Sequence, residues 1–373
     1  VVLFELAEGS SVAGVFTKNA FCAAPVTVCK EHLSKAPIRF LVINSGNANA
    51  CTGEQGLLDA KATCAAIAEL TGVQPEQVLP FSTGVIGEPL PVQKITAVIP
   101  EALQKVNING WDDAGAGIMT TDTRPKIASH RVELSGVPVT VTGIAKGAGM
   151  IKPNMATMLG FVATDATIEP ALLQRWMKQL ADQSFNCISI DGDTSTNDAC
   201  MLVATGKAGM TAPVREGSAE AATLFEALRQ VFVTLAHAIV RDGEGATKFV
   251  EVRVEQAGSD SDARAIAETV AHSPLVKTAL FASDPNWGRI LAAVGRAPIA
   301  ALDVERVNIW LDDVQIVANG AVAADYTEAR GAAVMAQQDI RIVIRLAAGE
   351  GAATVWTCDF SYDYVKINAE YRT

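Results

Sequence analysis

The sequence predicts an α+β fold, a layered α/β sandwich of mixed and antiparallel sheets with flanking helices. Three observations carry that expectation: hairpin signals recur along the chain, strong helical periodicities stand between them, and 49% of the 373 residues are hydrophobic, enough for a large core. This length suits two lobes or one large α/β body, and the apolar content excludes a mainly disordered chain.

Taken in order, Ile38 to Ile43 is a continuous apolar strand that ends in a loop, Asn44-Ser45-Gly46-Asn47-Ala48-Asn49. A helix follows from about Gly56 to Leu70, with Leu57, Cys64 and Ile67 on related faces and Gly72 as its stop. Val132–Leu134 and Val139–Val141 flank Ser135-Gly136, a hairpin signal. Leu172, Trp176 and Leu180, four apart after Pro170, mark a helix, and Leu224, Leu228, Val231, Leu235 and Ile239 mark a longer one ending before Asp242-Gly243. Strands are expected at Cys187–Ile190 and Cys200–Ala204, around a capped polar turn. The tail, about 248–373, is β-rich: Phe249 to Val254 alternates, Val307 to Val317 folds over Asp312-Asp313, and Ile340–Leu346 is expected to pair with Ala353–Phe360 across a Gly-Glu-Gly turn.

Composition narrows function by exclusion. Lys plus Arg total 30 against 41 Asp plus Glu, a net charge of -11, which argues against a nucleic-acid partner because phosphate binding draws on clustered cations. The longest strongly apolar run, Val231 to Val240, is too short to span a bilayer, so no membrane segment is expected. Seven scattered cysteines without a CxxC pair read as free buried thiols in a reducing, cytoplasmic setting. The four histidines lack ligand spacing, so no zinc or other metal is expected. Lys146-Gly147-Ala148-Gly149 is glycine-rich but lacks both the phosphate-loop pattern and the third glycine of a dinucleotide fingerprint. Asp191 to Asp198 imitates a calcium loop, yet Thr196 stands at its sixth position and Leu202 at its twelfth, which excludes an EF-hand.

The stretch that carries chemistry is Lys146 to Phe161, KGAGMIKPNMATMLGF, where Thr157 heads a strand-like run. From spacing alone, Thr157 reads as a structural β-former and Ser82-Thr83-Gly84 as a plain turn. Along the chain around it stand FSTGVIGEPLP from Phe81, IMTTDTRPK from Ile118, SIDGDTSTND from Ser189, DGEGATK from Asp242, DPNWGRI from Asp284 and KINAEYRT at the C-terminus. Through these seven segments the chain resembles the ornithine acetyltransferase (glutamate N-acetyltransferase) family of arginine biosynthesis, almost end to end.

The resemblance implies an N-terminal-nucleophile-like fold and self-cleavage between Ala156 and Thr157, giving an α fragment, 1–156, and a β fragment, 157–373, that form one intertwined catalytic body. Thr157 would be the nucleophile and, through its freed amine, the base. Such an amine has a reference pKa of about 7.7–8.0, whereas the peptide amide it replaces takes no proton near neutrality. Thr83 and Gly84 would form the oxyanion hole. Thr120, Lys146, Thr157, Glu244, Asn368 and Thr373 match the substrate-binding positions; Lys146 suits a carboxylate and Glu244 an ammonium, while Thr121 beside Thr120 leaves that assignment uncertain by one residue. The implied reaction moves acetyl from N-acetyl-L-ornithine to L-glutamate by ping-pong transfer through an acetyl-threonine, with acetyl-CoA an open second donor, no cofactor, and a heterotetramer of two α and two β fragments. Two alternatives stay open: an N-terminal-nucleophile aminopeptidase or amidase, and a non-catalytic ligand-binding protein. Bland readings also stand for Lys146 (a solvated strand-end lysine), Glu244 (a helix-end charge), and Asn368 and Thr373 (a frayed tail).

Overall fold

The computed structural model describes residues 1–152 and 158–371. Ala156, Thr157 and Thr373, all singled out above, lie outside the described residues. The chain forms two compact units: residues 1–186 with 193–239, and residues 187–192 with 240–373.

The first unit is a four-layer sandwich. One sheet has the order β1 (Val2–Glu5), β3 (Phe40–Asn47), β4 (Val78–Val85); the other has the order β2 (Ser11–Phe16), β8 (Ala199–Ala204), β7 (Leu159–Thr164), β6 (Val137–Lys146), β5 (Lys126–Leu134). Each sheet is mixed, since β3 pairs β4 and β7 pairs β8 in parallel while the remaining neighbours are antiparallel. Side chains of both sheets share one buried cluster, including Leu41, Ile43, Leu79 and Phe81 from the smaller sheet and Ile144, Leu159, Phe161 and Met201 from the larger. Phe81 meets Phe161 edge-on at 5.0 Å between centroids. The other face of the small sheet buries Phe40, Val42 and Val78 against Val28, Cys64, Ile67 and Ile99 of helices Ala24–Leu33, Gly53–Thr71 and Val92–Lys105. Helix Pro170–Asp182 packs on β2 and β8. Helix Ala219–Arg241 runs beside β6, where Leu235 lies so near Gly143 that an added Cβ there would stand 3.1 Å from it.

This helix has 23 residues and by length and apolar content alone could cross a membrane, because polar residues interrupt the ten-residue run without ending the helix. Half of its most apolar window is buried inside the protein, with Leu224, Leu228, Phe232, Leu235 and Ile239 on the covered face.

The second unit is built on one sheet, ordered β12 (Ala321–Val322), β11 (Val314–Ala318), β10 (Asn308–Leu311), β13 (Asp339–Arg345), β9 (Phe249–Ala257), β14 (Gly351–Cys358). Its alternating apolar residues, among them Val250, Val252, Val254, Ile342 and Ile344, bury against Ala263, Ile266, Val270, Ile290 and Val334 from the helices Asp260–Ala271, Trp287–Gly295 and Glu328–Met335.

The α+β layers, the Ser135-Gly136 hairpin and the helices beginning at Pro170 and near Leu224 stand as expected. Four expectations change. Asn44–Asn47 is strand rather than loop, because it pairs in parallel with Ser82–Val85; the same pairing makes Ser82-Thr83-Gly84 strand rather than turn. Cys187–Ile190 is no strand: Phe185–Cys187 is a 3-10 turn and Ile188 makes a single bridge to Trp356, so its apolar run reflects burial, not a ladder. β13 and β14 do not pair with each other. β9 lies between them, and the connecting turn wraps around its end, where Ala348 and Gly349 N–H donate to the Gln256 carbonyl. None of the seven cysteines is in a disulfide; Cys51 is exposed and Cys22 half-buried, while the others are buried, and burial pushes the Cys64 thiol up to about 12.

Candidate active site

In the first unit, the ends of β4 and β6 and the loop carrying Thr120 meet at Lys146. The lysine closes β6 and is buried rather than solvated. Its Nζ donates to Thr120 Oγ1 at 2.7 Å and to Thr83 Oγ1 at 3.2 Å. A hydroxyl that accepts from an ammonium must aim its own proton elsewhere, so Thr83 and Thr120 both hold a donor free to meet a substrate oxygen. Three residues far apart in sequence, drawn from three of the seven motifs, therefore form one polar cluster.

Beneath it lies a residue that the sequence reading passed over. Asp122 is buried; its Oδ1 accepts from Lys126 Nζ at 2.5 Å and from Gly147 N–H at 2.7 Å, and its Oδ2 from Thr120 N–H at 3.1 Å. Burial alone would raise this carboxyl. The Lys146 and Lys126 ammoniums and the Gly147 N–H outweigh it and hold the group below its ordinary value. Asp122 thus fixes the backbone on both sides of the Lys146–Thr120 contact. The spacing Asp122 to Lys126, one helical turn, was the available signal, but no helix forms there.

Gly84 sits on β4 directly against Gly46 and Asn47 of β3. Its φ is +134°, and a Cβ would stand 2.2 Å from the Gly46 carbonyl carbon and 2.6 Å from Asn47 N. Only glycine satisfies both the backbone region and the approach. Gly84→Ala should therefore separate the two strands and cost about 1–3 kcal/mol or more of stability, read as a lowered unfolding midpoint together with lost activity. The neighbouring loop is tied down by Asn197, whose Nδ2 donates to the carbonyls of Ala48 (2.5 Å) and Ser82 (2.9 Å), while Ser82 Oγ donates to Asn44 Oδ1 at 2.5 Å. Asn197 belongs to the SIDGDTSTND motif, and sequence alone gave it no partner.

In the second unit, Glu244 is buried and its Oε2 accepts from Asn368 Nδ2 at 2.7 Å. Asn368 also donates to the Tyr364 carbonyl, within a helix, Tyr362–Glu370, capped by Ser361. That segment is not a frayed tail. Among the described residues, no three His, Cys, Asp or Glu side chains gather to hold a metal ion.

The profile of the ArgJ family matches residues 1–373, the whole chain. The chain belongs to the ArgJ family. It is 59% identical over 374 residues to the arginine biosynthesis bifunctional protein ArgJ of Methylococcus capsulatus, spanning all of this chain and 91% of that one. To the protein of the same description from Pseudomonas fluorescens it is 58% identical over 373 residues, spanning 92% of that chain. The crystal structure of the arginine biosynthesis bifunctional protein argJ from Bacillus halodurans overlays with a TM-score of 0.54 at 36% identity, covering 56% of this chain and 97% of that one. The seven motifs and the whole-length match agree: this ArgJ-family chain is an arginine-biosynthesis enzyme of the glutamate N-acetyltransferase (ornithine acetyltransferase) class.

Proposed function

We propose that this ArgJ-family enzyme cuts its own chain between Ala156 and Thr157 and then carries acetyl on Thr157 from N-acetyl-L-ornithine to L-glutamate. In maturation, the Thr157 hydroxyl attacks the Ala156 carbonyl carbon, the C–N bond breaks as its nitrogen takes a proton, and water opens the ester. The freed α-amine then deprotonates the same hydroxyl in each turnover. The hydroxyl attacks the acetyl carbonyl; the oxyanion is held by the Thr83 O–H and the Gly84 N–H; ornithine leaves with a proton. The glutamate amine attacks the acetyl ester in the second half. Thr120, Lys146, Glu244, Asn368 and Thr373 hold the charged ends of the two substrates, and no cofactor takes part.

The observation that carries this reading is the buried Lys146 donating to Thr83 and Thr120 together, because it joins the oxyanion residue to two substrate positions. One further fact supports maturation. Strands on either side of the junction pair directly, Lys146 opposite Leu159 through Val141 opposite Thr164, so a cut would leave the fragments hydrogen-bonded. A heterotetramer of two such pairs is the proposed assembly, and seven cysteines outside any disulfide suit a reducing cytoplasm.

The test is acetyl transfer followed by mass spectrometry. N-acetyl-L-ornithine alone should add one acetyl group to the 157–373 fragment, and glutamate should remove it as N-acetyl-L-glutamate; a fragment that never gains acetyl while transfer proceeds would defeat the ping-pong path. Acetyl-CoA in place of the first donor tests whether the word bifunctional in the relatives' names extends to this chain. Thr83→Val, which keeps the side-chain shape, should lower kcat by about 10²–10³-fold with KM little altered, measured by steady-state transfer.

A further inference from the structure

The motif Ser189 to Asp198 ends on a carboxyl that the reaction above leaves unused. Asp198 is 2% exposed and stands immediately before β8, whose first residue, Ala199, lies opposite Leu159, the first residue of β7. Its carboxyl accepts from the Met158 N–H and from the Ser195 side chain, and its main-chain carbonyl accepts from Thr17 N–H at 2.9 Å. Its Oδ2 has no hydrogen-bond partner among the described residues. Lys146, on β6, is likewise opposite Leu159. The start of β7 is thus flanked by a buried lysine at the end of one neighbouring strand and a buried acid just before the other.

A carboxyl oxygen shut away from water without a partner costs a few kcal/mol, roughly 1–3 or more. Packing does not require it: an asparagine would accept from Met158 equally well. An un-ionised acid is the form that such a place favours. Burial raises the Asp198 carboxyl well above its ordinary value, and the Ser195 bond, the Lys146 ammonium and the Met158 N–H offset this only in part. Lys146 is the charged group that acts on it; Ser195, Met158 and Thr17 contribute uncharged donors, and the adjacent Cys200 is a buried thiol held neutral by burial.

We propose that Asp198 acts in chain maturation, anchoring the Met158 N–H next to the junction while its second oxygen carries a proton for the nitrogen released when the bond between residues 156 and 157 breaks. The inference rests on the self-cleavage reading. The balance is closed within the chain: as the ester forms, the C–N bond breaks and its nitrogen takes the carboxyl proton; the hydroxyl proton restores the acid. No oxidant, metal or added base is needed. A neutral acid can give and receive in one step, which a carboxylate or an amide cannot.

The experiment follows cleavage of freshly translated full-length chain on denaturing gels from pH 6 to 9, for wild type and Asp198→Asn, with circular dichroism to confirm folding. Wild-type cleavage should slow toward alkaline pH as the acid ionises. Asp198→Asn should fold yet cleave about 10²-fold more slowly, with a flat profile over the same range. Cleavage of Asp198→Asn within threefold of wild type would overturn the proposal, as would a slowed variant that keeps the wild-type pH profile, since that marks a merely structural role. Should Asp198→Asn not fold, the wild type alone decides: a solvent deuterium isotope effect near unity, or no alkaline fall, counts against a proton carried by Asp198. A wild-type chain that stays intact throughout would remove self-cleavage itself, and this inference with it. Wild-type cleavage with an unaffected Asp198→Asn removes this inference alone.

Discussion

Thr157→Ala yields one unbroken 373-residue chain and transfer reduced by about 10⁴-fold or more, the scale on which loss of a nucleophile acts in covalent catalysis. Both effects are expected from one substitution because the proposed mechanism gives one hydroxyl both maturation and turnover, and leaves an uncut chain with no α-amine to act as base. Denaturing electrophoresis, N-terminal sequencing of the larger piece and the acetyl-transfer assay read the three consequences separately. The wild-type larger fragment should begin Thr157-Met158-Leu159. A different first residue, or an alanine variant that still cuts and turns over, would remove Thr157 from the mechanism. Thr157→Ser, which keeps a hydroxyl, should cut and transfer more slowly rather than not at all.

The second large effect is on stability. Asp122→Asn keeps shape but removes the charge that faces Lys126, whose side chain is 1% exposed, and Lys146. Taking away one partner of a buried pair costs about 3–5 kcal/mol, which for a unit of this size lowers the unfolding midpoint by roughly 10 °C. The pH dependence gives this a sign. A carboxyl held below its ordinary value of 3.8 contributes stability above that value and loses it as the pH falls through the depressed one. The gap between wild type and Asp122→Asn should therefore be full near neutrality and close in acid below about 4. Thermal unfolding from pH 3 to 8 measures it. A gap that widens in acid would mean that the Asp122 carboxylate is not what holds the lysines.

Much of this was legible in the sequence because local pattern and tertiary outcome agreed. The apolar steps at Leu172, Trp176 and Leu180 bury one helix face, and Ser135-Gly136 adopts the two positive φ values of a tight hairpin. What could not be read was pairing at a distance. Nothing in Asn44–Asn47 announces a parallel strand 38 residues away, because a ladder is made by backbone groups that every residue has. The same holds for β9, which enters between β13 and β14 from ninety residues upstream. For the site, the motifs supplied Lys146, Thr83 and Thr120 by resemblance, and geometry supplied the reason that they belong together. Asp122 and Asn197 stayed hidden for a different reason: they act on backbone and on other side chains, and such support leaves no periodicity. Lys146 itself corrects a common habit of reading strand-end lysines as solvated, since its surroundings offer two hydroxyls and a carboxylate in place of water.

The register that sets Lys146 against Leu159 and Leu159 against Ala199 has one more consequence. A polypeptide severed upstream of β7 after folding has its pieces already paired, so they never have to find one another in solution, and how slowly the shared sheet opens sets how long they stay together on dilution. Genes encoding the halves separately would face the opposite situation: each product would leave the ribosome with bare strand edges, and recovery of activity would depend on how soon its mate arrived.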